Sequence, residues 1–326
     1  MKTPKFWYKD NSTLKYILNP LTIFWIFGNY LRKKYSVPKK FNVPIVCVGN
    51  AIAGGGGKTP LTIELAKLFI KKNYDVHIIK KQYKSKNKQD VKIVHKSSDP
   101  FIVGDESVLI SRVTKTWLAK NRKVGIEKAI NKGASLIILD DGYQDYSIIK
   151  DFNILTINQN QQFGNRKIIP AGPLREKVED AIKKADSIFF YGNKNSLDLS
   201  ILRSTKPITF VKMILDKAVI KKIKNKKILA FSGIAHPQNF FNALTGNGLK
   251  LKRIIEFSDH YRYTINDFEK IILISSKLNL LAVTTEKDYV KVPKKFKENI
   301  IAIPVKVQFN QELFYNLFIK KVKEYV

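Results

Sequence analysis

Cysteine, histidine and acidic residues are all scarce in this chain of 326 residues. The single cysteine, Cys47, excludes a disulfide framework and indicates a reducing compartment. Four scattered histidines offer no spacing that suits a zinc site. Because 27 Asp and Glu stand against 59 Lys and Arg, the formal net charge is +32. Such a charge favours polyanionic partners: nucleic acid, anionic lipid headgroups or phosphorylated substrates.

Long apolar runs are also missing. The longest charge-free run, 16–31, is interrupted by Asn19, Pro20 and Gly28, whereas a membrane span needs roughly 20 cleaner residues. No small-residue cleavage site follows, so we do not expect a signal peptide. Residues 1–41 combine aromatic rings with Lys and Arg, which fits a helix lying in a membrane interface. An ordinary helix packed on the domain needs the same apolar face and remains the alternative.

The most informative stretch, 46–61, reads VCVGNAIAGGGGKTPL. An apolar run predicts a buried strand, and a periodic segment from Pro60 predicts a helix. Glycines between them allow backbone N–H groups to approach a polyphosphate, Lys58 would reach the outer phosphates, and the Thr59 hydroxyl would take one Mg²⁺ position. The predicted nucleotide-binding residues are Ala53, Gly54, Gly55, Gly56, Gly57, Lys58 and Thr59. The strict pattern asks for glycine where this chain has Ile52, so an accidental flexible loop is the alternative.

Strands and helices alternate from 42 to 205, which predicts an α/β phosphate-loop domain with a mostly parallel sheet. Its predicted strands are 43–48, 75–80, 135–139, 153–157 and 186–190, and its helices are 60–72, 105–114, 122–132 and 177–185. A smaller α/β domain is predicted over 206–326, beginning with a two-stranded ribbon at 208–215 and 218–223. Its further strands are 227–231, 251–256, 280–284 and 300–305, and its helices are 237–245, 265–277 and 311–323.

Two adjacent carboxylates, Asp140 and Asp141, end a buried strand. Ligands of parallel sheets lie beyond the carboxyl ends of the strands, so we expect both residues near the glycine loop. An acidic residue at such a position holds Mg²⁺ in phosphate-loop enzymes. Neighbouring strand side chains point to opposite faces, so the two should differ in role unless a turn intervenes. A plain turn-forming Asp-Asp-Gly is the alternative.

Further motifs follow in order: Gly104-Asp-Glu106, Asp140-Asp-Gly-Tyr-Gln144, Phe163-Gly-Asn165, Pro170-Ala-Gly-Pro-Leu-Arg-Glu176, Ala230-Phe-Ser-Gly-Ile-Ala-His-Pro-Gln238, Asp259-His260 and Thr284-Thr-Glu-Lys-Asp288. With the glycine loop they cover 44–291. Together they resemble the tetraacyldisaccharide 4'-kinases, the lipid A 4'-kinases of Gram-negative bacteria.

The resemblance implies a reaction in which the γ-phosphate of ATP goes to the 4'-hydroxyl of a tetraacylated glucosamine disaccharide 1-phosphate, giving lipid IVA. It implies ATP and Mg²⁺ as cofactors and an active site in the cleft between the two domains. It also implies a peripheral enzyme on the cytoplasmic face of the bacterial inner membrane, held to the anionic surface through residues 1–41. Neither nucleic acid nor an obligate protein partner is expected.

Roles at matching positions also follow from the resemblance. Lys58 and Thr59 hold phosphates and Mg²⁺, and Asp140 and Asp141 belong to the metal and nucleotide site. Asp105 resembles the family's general base, paired with His260 from the facing domain. Residues expected around the transferring phosphate and the substrate are Arg175, Glu176, Gln144 and Tyr83.

Each position also has a purely structural interpretation. Asp105 could complement a helix dipole, His260 could form a surface pair with Asp259, and Arg175 with Glu176 could be an exposed ion pair. The motif 284–288 is predicted to be a capped helix start, with Thr285 as the cap and Asp288 at the third helical position.

Four positions depart from the family pattern: Gly56, Gln82, Asp145 and Tyr261. None removes the lysine, threonine, paired aspartates or Asp105 and His260. Two other functions stay open on sequence alone. One is a phosphate-loop NTPase acting as a switch or chaperone on a protein partner. The other is a nucleic-acid-binding module, motivated by the charge of +32.

Overall fold

The computed structural model of the protein describes residues 4–9, 12–55, 57–82 and 90–323. Two predicted site residues, Gly56 and Tyr83, lie outside the described residues. The described chain forms two compact units. Unit 1 contains 95–112 and 213–306, and unit 2 contains the remainder.

The chain alternates strands and helices along most of its length. The strands are β1 (Ile45–Gly49), β2 (Val76–Lys81), β3 (Val91–Val94), β4 (Thr116–Ala119), β5 (Leu136–Asp140), β6 (Phe152–Asn158), β7 (Ser187–Tyr191), β8 (Ile208–Leu215), β9 (Lys227–Ser232), β10 (Lys250–Glu256), β11 (Leu281–Thr285), β12 (Ile300–Ile303) and β13 (Val305–Gln308). The helices are α1 (Thr13–Ile17), α2 (Thr22–Lys34), α3 (Lys58–Lys71), α4 (Pro100–Val103), α5 (Asp105–Ser111), α6 (Arg122–Ile130), α7 (Val178–Lys184), α8 (Leu199–Leu202), α9 (Lys217–Ile223), α10 (Pro237–Gly246), α11 (Ile265–Lys277), α12 (Glu286–Tyr289) and α13 (Gln311–Lys321). Short 3₁₀ helices cover Lys5–Tyr8, Lys194–Ser196 and Lys294–Phe296.

In the described residues of unit 2, a sheet of nine strands has the order β13-β8-β7-β6-β1-β5-β2-β4-β3. Strands from β8 to β4 pair in parallel, and β3 pairs antiparallel with β4 at the edge. The chain passes between the units within β8 and within β13. The predicted α/β class with a mostly parallel sheet is confirmed, whereas β3 and β4 were not predicted.

Strand β1 is central in this sheet and completely buried, as its apolar sequence predicts. It lies between β5 and β6, with Val48 in register with Asp140. The loop after β1 and the carboxylates after β5 therefore leave the sheet at the same edge. Helix α3 covers this region with Leu61, Leu65 and other buried side chains at helical spacing.

The C-terminal helix α13 belongs to unit 2, although we assigned it by sequence to the smaller domain. Its buried rings Phe314 and Phe318 pack on α3, where the ring centroids of Phe69 and Phe318 are 4.7 Å apart. Residues 95–112, which we assigned by sequence to the phosphate-loop domain, belong to unit 1. The break lies at 212–213 rather than near 206. Sequence order hides these exchanges because the packing partners are far apart along the chain.

Unit 1 is built on a parallel four-stranded sheet of the order β10-β9-β11-β12 among the described residues. Helix α11 starts with a capping box formed by Thr264 and Asp267 and buries Phe268 and Ile271. Helix α12 begins after Thr285, whose hydroxyl accepts from the Asp288 N–H. The predicted cap at 284–288 is confirmed.

The predicted ribbon strand 218–223 is wrong. This segment is helix α9, and the Asp216 side chain caps it by accepting from the N–H groups of Ala218 and Val219. Ile220 and Ile223, three residues apart, are the buried positions. Strand β8 pairs with β7 and neighbours β13 instead.

The N-terminal region forms helix α2, which buries none of its residues. It is nevertheless tied to unit 2, because Trp25 Nε1 and Asn29 Nδ2 both donate to the Arg175 carbonyl, at 2.9 and 3.0 Å. Among the described residues, no helix is both long and apolar enough to cross a bilayer.

Candidate active site

The glycine loop of unit 2 joins β1 to α3. Gly54, Gly55 and Gly57 have φ values of 79°, 60° and 68°, in the left-handed region that other residues adopt at a cost. A Cβ on Gly55 would lie 2.4 Å from Gln161 Oε1. The turn therefore requires glycine, and it ends at the N-terminus of a 14-residue helix, where backbone N–H groups and the helix dipole favour an anion.

Ile52, where the strict motif has glycine, has a structural role in this chain. It is 4% exposed and bridges to Leu174, while Ala53 N–H donates to the Pro173 carbonyl at 2.8 Å. The Arg175 N–H donates to the Ala51 carbonyl at 2.8 Å. The first half of the loop is thus held by the 173–175 segment and is not an accidental flexible loop.

Lys58 lies inside the loop that carries it. Its Nζ donates to the Gly55 carbonyl at 3.2 Å and is 3.6 Å from Asp141 Oδ1. The Tyr191 hydroxyl donates to the Gly57 carbonyl at 2.8 Å and steadies the helix start. The ammonium therefore lies between the glycine loop and the Asp141 carboxylate.

Asp140 is buried and is the polar centre beside the loop. The hydroxyls of Thr59 and Thr62 donate to its two oxygens at 3.4 and 3.3 Å. The Lys80 ammonium is its ion-pair partner, from the register position next to it on β2. A hydroxyl beside a carboxylate is the oxygen-donor set that Mg²⁺ prefers, with the remaining positions left to phosphate and water. Thr59 and Asp140 therefore fit their predicted metal role.

Asp141 is turned away from the strand path by a φ of 60°, so the intervening turn considered from sequence is present. Arg175 holds its carboxylate in a fork, with contacts of 2.9 and 3.4 Å, and Arg122 donates to its carbonyl at 2.8 Å. Burial would raise the pKa of Asp141, but the charges of Lys58 and Arg175 outweigh it and lower the pKa to about 2. Asp141 is therefore ionised throughout the physiological range.

The interpretation of Arg175 and Glu176 as an exposed ion pair is wrong. Arg175 pairs with Asp141 and donates to Gln144 Oε1 at 3.2 Å. Gln144 in turn donates to Glu176 Oε1 at 2.9 Å, and Glu176 pairs with Lys184 at 2.5 Å. The structure thus brings Lys58, Asp141, Arg175 and Gln144 into one connected network.

A groove of about 420 Å³ lies beside this network, between α2 and the segment around α7. Its lining combines aromatic or apolar surface with charged heads, including Trp25, Tyr30, Lys33, Tyr146, Arg175 and Lys184. The carboxylates of Glu176 and Asp180 line the same groove.

A second cluster, in unit 1, is formed around Asp105 at the start of α5. Asp105 is buried and accepts from the Glu106 N–H at 2.8 Å through Oδ1. Its Oδ2 is 3.3 Å from His260 Nδ1 and 3.2 Å from Lys291 Nζ. His260 has a φ of 56° and its N–H donates to the Gly233 carbonyl at 3.1 Å. The imidazole is thereby turned toward Asp105 while its side chain stays 59% exposed.

The two members of this pair shift in opposite directions. The hydrogen bond with Asp105 raises the pKa of His260 against the opposing effects of burial and Lys287. Burial would raise the pKa of Asp105, but the His260 hydrogen bond and the charges of Lys287 and Lys291 lower it. A carboxylate held ionised beside an imidazole is a proton-accepting pair.

One expectation about this pair is wrong. We expected His260 to reach Asp105 from the facing domain when a cleft closes, but both residues belong to unit 1. Helix α5 packs against α12 in that unit, and this packing assembles the pair. The surface pair of His260 with Asp259 is also present, at 3.9 Å, but His260 lies closer to Asp105, at 3.3 Å.

Several residues at these sites were not predicted: Thr62, Lys80, Arg122, Lys287 and Lys291. Lys80 carried a readable signal, since it ends a strand next in the sheet to Asp140. Lys291 carried none, because its approach to Asp105 depends on the assembly of two distant segments.

Comparison with known proteins identifies the family of this chain. A family model described as tetraacyldisaccharide-1-P 4'-kinase matches residues 14–323. The tetraacyldisaccharide 4'-kinase of Rickettsia bellii is 34% identical over 320 residues, covering 98% of each chain. That of Rhodospirillum centenum is 30% identical over 315 residues, covering 95% of this chain and 94% of the relative.

A solved structure is similar over nearly the whole chain. It is LpxK from Aquifex aeolicus in complex with ATP, with a TM-score of 0.76 and 26% identity, covering 94% of this chain and 100% of that one. The resemblance that the motifs indicated is confirmed. This chain belongs to the tetraacyldisaccharide-1-P 4'-kinase family.

Proposed function

We propose that this protein transfers the γ-phosphate of ATP to the 4'-hydroxyl of a tetraacyldisaccharide 1-phosphate, giving lipid IVA in lipid A biosynthesis. Unit 2 binds the nucleotide, and unit 1 supplies the group that accepts the proton of the acceptor hydroxyl. The observation that carries transfer to an alcohol is the Asp105–His260 pair, at 3.3 Å. A nucleotide-hydrolysing switch would give this pair no task.

Nucleotide binding rests on the loop between β1 and α3. Its left-handed glycines and the N-terminus of α3 supply backbone N–H groups for the β- and γ-phosphates. Lys58 and Arg175 already flank one carboxylate, Asp141, so two cations face the position where charge develops on the transferring group.

The Thr59 hydroxyl and Asp140 would hold Mg²⁺ beside the phosphates, with Asp141 nearby. When bound, Mg²⁺ neutralises charge on the phosphate oxygens. Thr62 and Lys80 orient the Asp140 carboxylate from two further elements, so its direction is fixed before a metal arrives.

Proton transfer is the task of unit 1. An alcohol is a poor nucleophile until its proton is accepted, and Asp105 is ionised and held at Oδ1 by a backbone N–H. Because the pKa of His260 is raised, the proton gained by the pair resides on the imidazole. Assembly inside one unit means that the base is preorganised.

The acceptor is an amphiphile, and the groove between α2 and α7 fits its chemistry. Exposed rings on α2, including Phe24 and Phe27, and the basic last turn Arg32–Lys34 suit an anionic lipid surface. We place the protein peripherally on the cytoplasmic face of the bacterial inner membrane. The hydrogen bonds from Trp25 and Asn29 to the Arg175 carbonyl connect α2 to the network of Lys58, Asp141, Arg175 and Gln144.

The test is incubation of the purified protein with ATP, Mg²⁺ and the disaccharide lipid acceptor, followed by mass spectrometry of the lipid. We expect a product heavier by one phosphate. Asp105→Asn should lower turnover by on the order of 10²-fold or more while ATP affinity is kept. Unchanged turnover in Asp105→Asn would remove the base assignment, and absence of the heavier lipid with the parent protein would reject the function.

A further inference from the structure

The buried lysine Lys291 has no task in the scheme above. It follows α12, and its side chain is 3% exposed. A buried ammonium is costly unless it is paired, and such a lysine is seldom retained in a protein interior without close anionic partners. Its Nζ is 3.2 Å from Asp105 Oδ2 and 3.3 Å from Asp288 Oδ1, and it lies 5.6 Å from the centroid of the Tyr263 ring.

These contacts close a ring through the catalytic pair. Asp288 accepts from the Gly233 N–H at 2.9 Å, and the Gly233 carbonyl accepts from the His260 N–H at 3.1 Å. His260 then returns to Asp105 through Nδ1. Lys291 is therefore connected to Asp105 directly and to His260 through the buried Asp288 and one residue, Gly233.

The ring is fixed at its other points. Asp288 also accepts from the hydroxyls of Ser232 and Thr285, at 3.1 and 2.8 Å. A Cβ on Gly233 would lie 2.9 Å from the Tyr263 hydroxyl and 3.3 Å from Asp288 Oδ1, so glycine is needed there. The end of the ring that holds Lys291 cannot move without breaking buried hydrogen bonds.

We infer that Lys291 is a positioning residue for the Asp105–His260 pair: its buried ammonium holds the Asp105 carboxylate in place and balances its charge. The inference rests on the proposed function, because it takes Asp105 to be the base. In this inference, the buried Lys291 ammonium determines where the Asp105 carboxylate points and the pH range in which that carboxylate can accept a proton.

The charged groups around Asp105 indicate that Lys291 does more than pack in the core. The groups facing Asp105 are His260, Glu106 on α5, Lys287 on α12, and Lys291, with Asp259 and Asp288 one step further. Lys287 forms ion pairs with Glu106 and Asp259, at 3.4 and 4.0 Å. Lys291 is then the lysine whose ammonium contacts Asp105 directly among the described residues, at 3.2 Å, while Lys287 also acts on Asp105 through its charge. Its loss leaves the carboxylates of Asp105 and Asp288 in one buried region without it, which raises the pKa of Asp105.

The experiment compares Lys291→Met and Lys291→Gln with Lys291→Arg in the lipid phosphorylation assay. We expect the two neutral variants to lose about 10- to 100-fold in kcat with little change in KM for ATP, since the nucleotide loop is in unit 2. The acid limb of the pH–rate profile should move upward by about one pH unit, because removing a nearby cation raises the pKa at which the Asp105–His260 pair gains its proton. Lys291→Arg should keep the parent limb.

A matched control is Lys295→Met, which removes a half-exposed lysine that pairs with Glu269 at 3.3 Å in the same unit. It should keep the parent rate and profile. A neutral Lys291 variant that loses thermal stability but keeps the parent acid limb would overturn the inference, because that is what a structural role gives. Parent protein that phosphorylates no lipid would instead reject the proposed function.

Should the neutral variants fail to fold, ¹⁵N NMR of the lysine ammonium groups decides the question. In the parent protein the Lys291 ammonium should exchange slowly, and its signal should shift in Asp105→Asn. An unshifted Lys291 signal would overturn the inference, because it would mean that the two groups are not in contact.

Discussion

Among single residues, Lys58 carries the most specific expectation. Its ammonium is placed by the loop that it serves, between the Gly55 carbonyl and Asp141. Lys58→Ala removes a cation from the developing phosphate charge, so turnover should fall by on the order of 10²-fold or more. Lys67→Ala is the control, since Lys67 lies on the same helix and pairs with Glu64 at the surface. Equal turnover in the two variants would mean that Lys58 does not contact the transferring phosphate.

For Ile52 we expect that a substitution toward the strict motif harms the protein. Ile52→Gly would restore the strict phosphate-loop motif, yet we expect it to destabilise the protein. The variant loses a buried side chain from the hydrophobic core that also contains Leu174, and it adds backbone freedom, together about 3 kcal/mol. Thermal unfolding measures this loss, and ATP titration shows the consequence for the loop. An Ile52→Gly protein of parent stability with tighter ATP binding would contradict the interpretation.

His260 gives the pair a pH signature. Its pKa is raised above 6.5, so its contribution to stability is complete below that value and is lost as pH rises through the folded pKa. The pKa of Asp105 is lowered from 3.8, so its contribution is present above that value and is lost as pH falls through the folded pKa. Both contributions are present between these two limits.

Urea unfolding of the parent protein and His260→Gln checks this sign. The difference in unfolding free energy should be largest between the ordinary pKa values of the two groups, 3.8 and 6.5, and shrink as pH rises through the raised pKa of His260. Because His260 is largely exposed, the difference should stay below about 1 kcal/mol. A difference that grew with pH would show that the imidazole is not paired with Asp105.

Two departures from the family pattern have local explanations in side-chain contacts, whereas the third, Gln82, makes a backbone contact that any residue other than proline could make. Asp145 pairs with Arg122 at 3.0 Å. Arg122 also donates to the Asp141 carbonyl. Tyr261 packs on Phe257, with ring centroids 4.8 Å apart, and thus takes part in the aromatic cluster behind His260. The Gln82 N–H donates to the Ala119 carbonyl at the end of β4. None of these contacts disturbs the two clusters.

At the scale of elements, α2 is the unusual helix. Phe24 and Phe27 are 72% and 58% exposed on a helix that ends in Arg32–Lys34. We expect Phe24→Asp with Phe27→Asp to weaken binding to vesicles containing anionic lipid, roughly tenfold or more for each ring. Sedimentation with vesicles measures this. Leu313→Asp, at an exposed position on α13, is the matched control. If the double variant of Phe24 and Phe27 binds vesicles as the parent does, or if binding is lost in the Leu313 control alone, then α2 does not bind the membrane.

Much of the fold could be predicted from local patterns, and the misses have physical reasons. Strands β1, β5, β6 and β7 are buried apolar runs, which sequence displays directly. Helix α9 was missed because its β-branched residues Val219, Ile220 and Ile223 favour a strand, whereas its helix signals, the Asp216 cap and the three-residue spacing of the buried isoleucines, were overlooked. The base and its histidine were found through motifs, whereas their placement in one unit depends on the docking of 95–112, which no local pattern reports.

At the scale of the molecule, the chain divides its chemistry between two units. Unit 2 holds the glycine loop, the paired aspartates and the groove beside α2. Unit 1 holds Asp105, His260 and the buried lysine. The charge of +32 is consistent with a phosphorylated substrate in an anionic lipid surface.

The most direct measurement follows the label from the γ-position of radioactive ATP while counting ADP released in the same tube. We expect one labelled lipid for each ADP, with both quantities falling together in Asp105→Asn and in Lys58→Ala. Release of ADP at the full rate without label in the lipid would contradict the account, because the protein would then hydrolyse nucleotide rather than phosphorylate an acceptor.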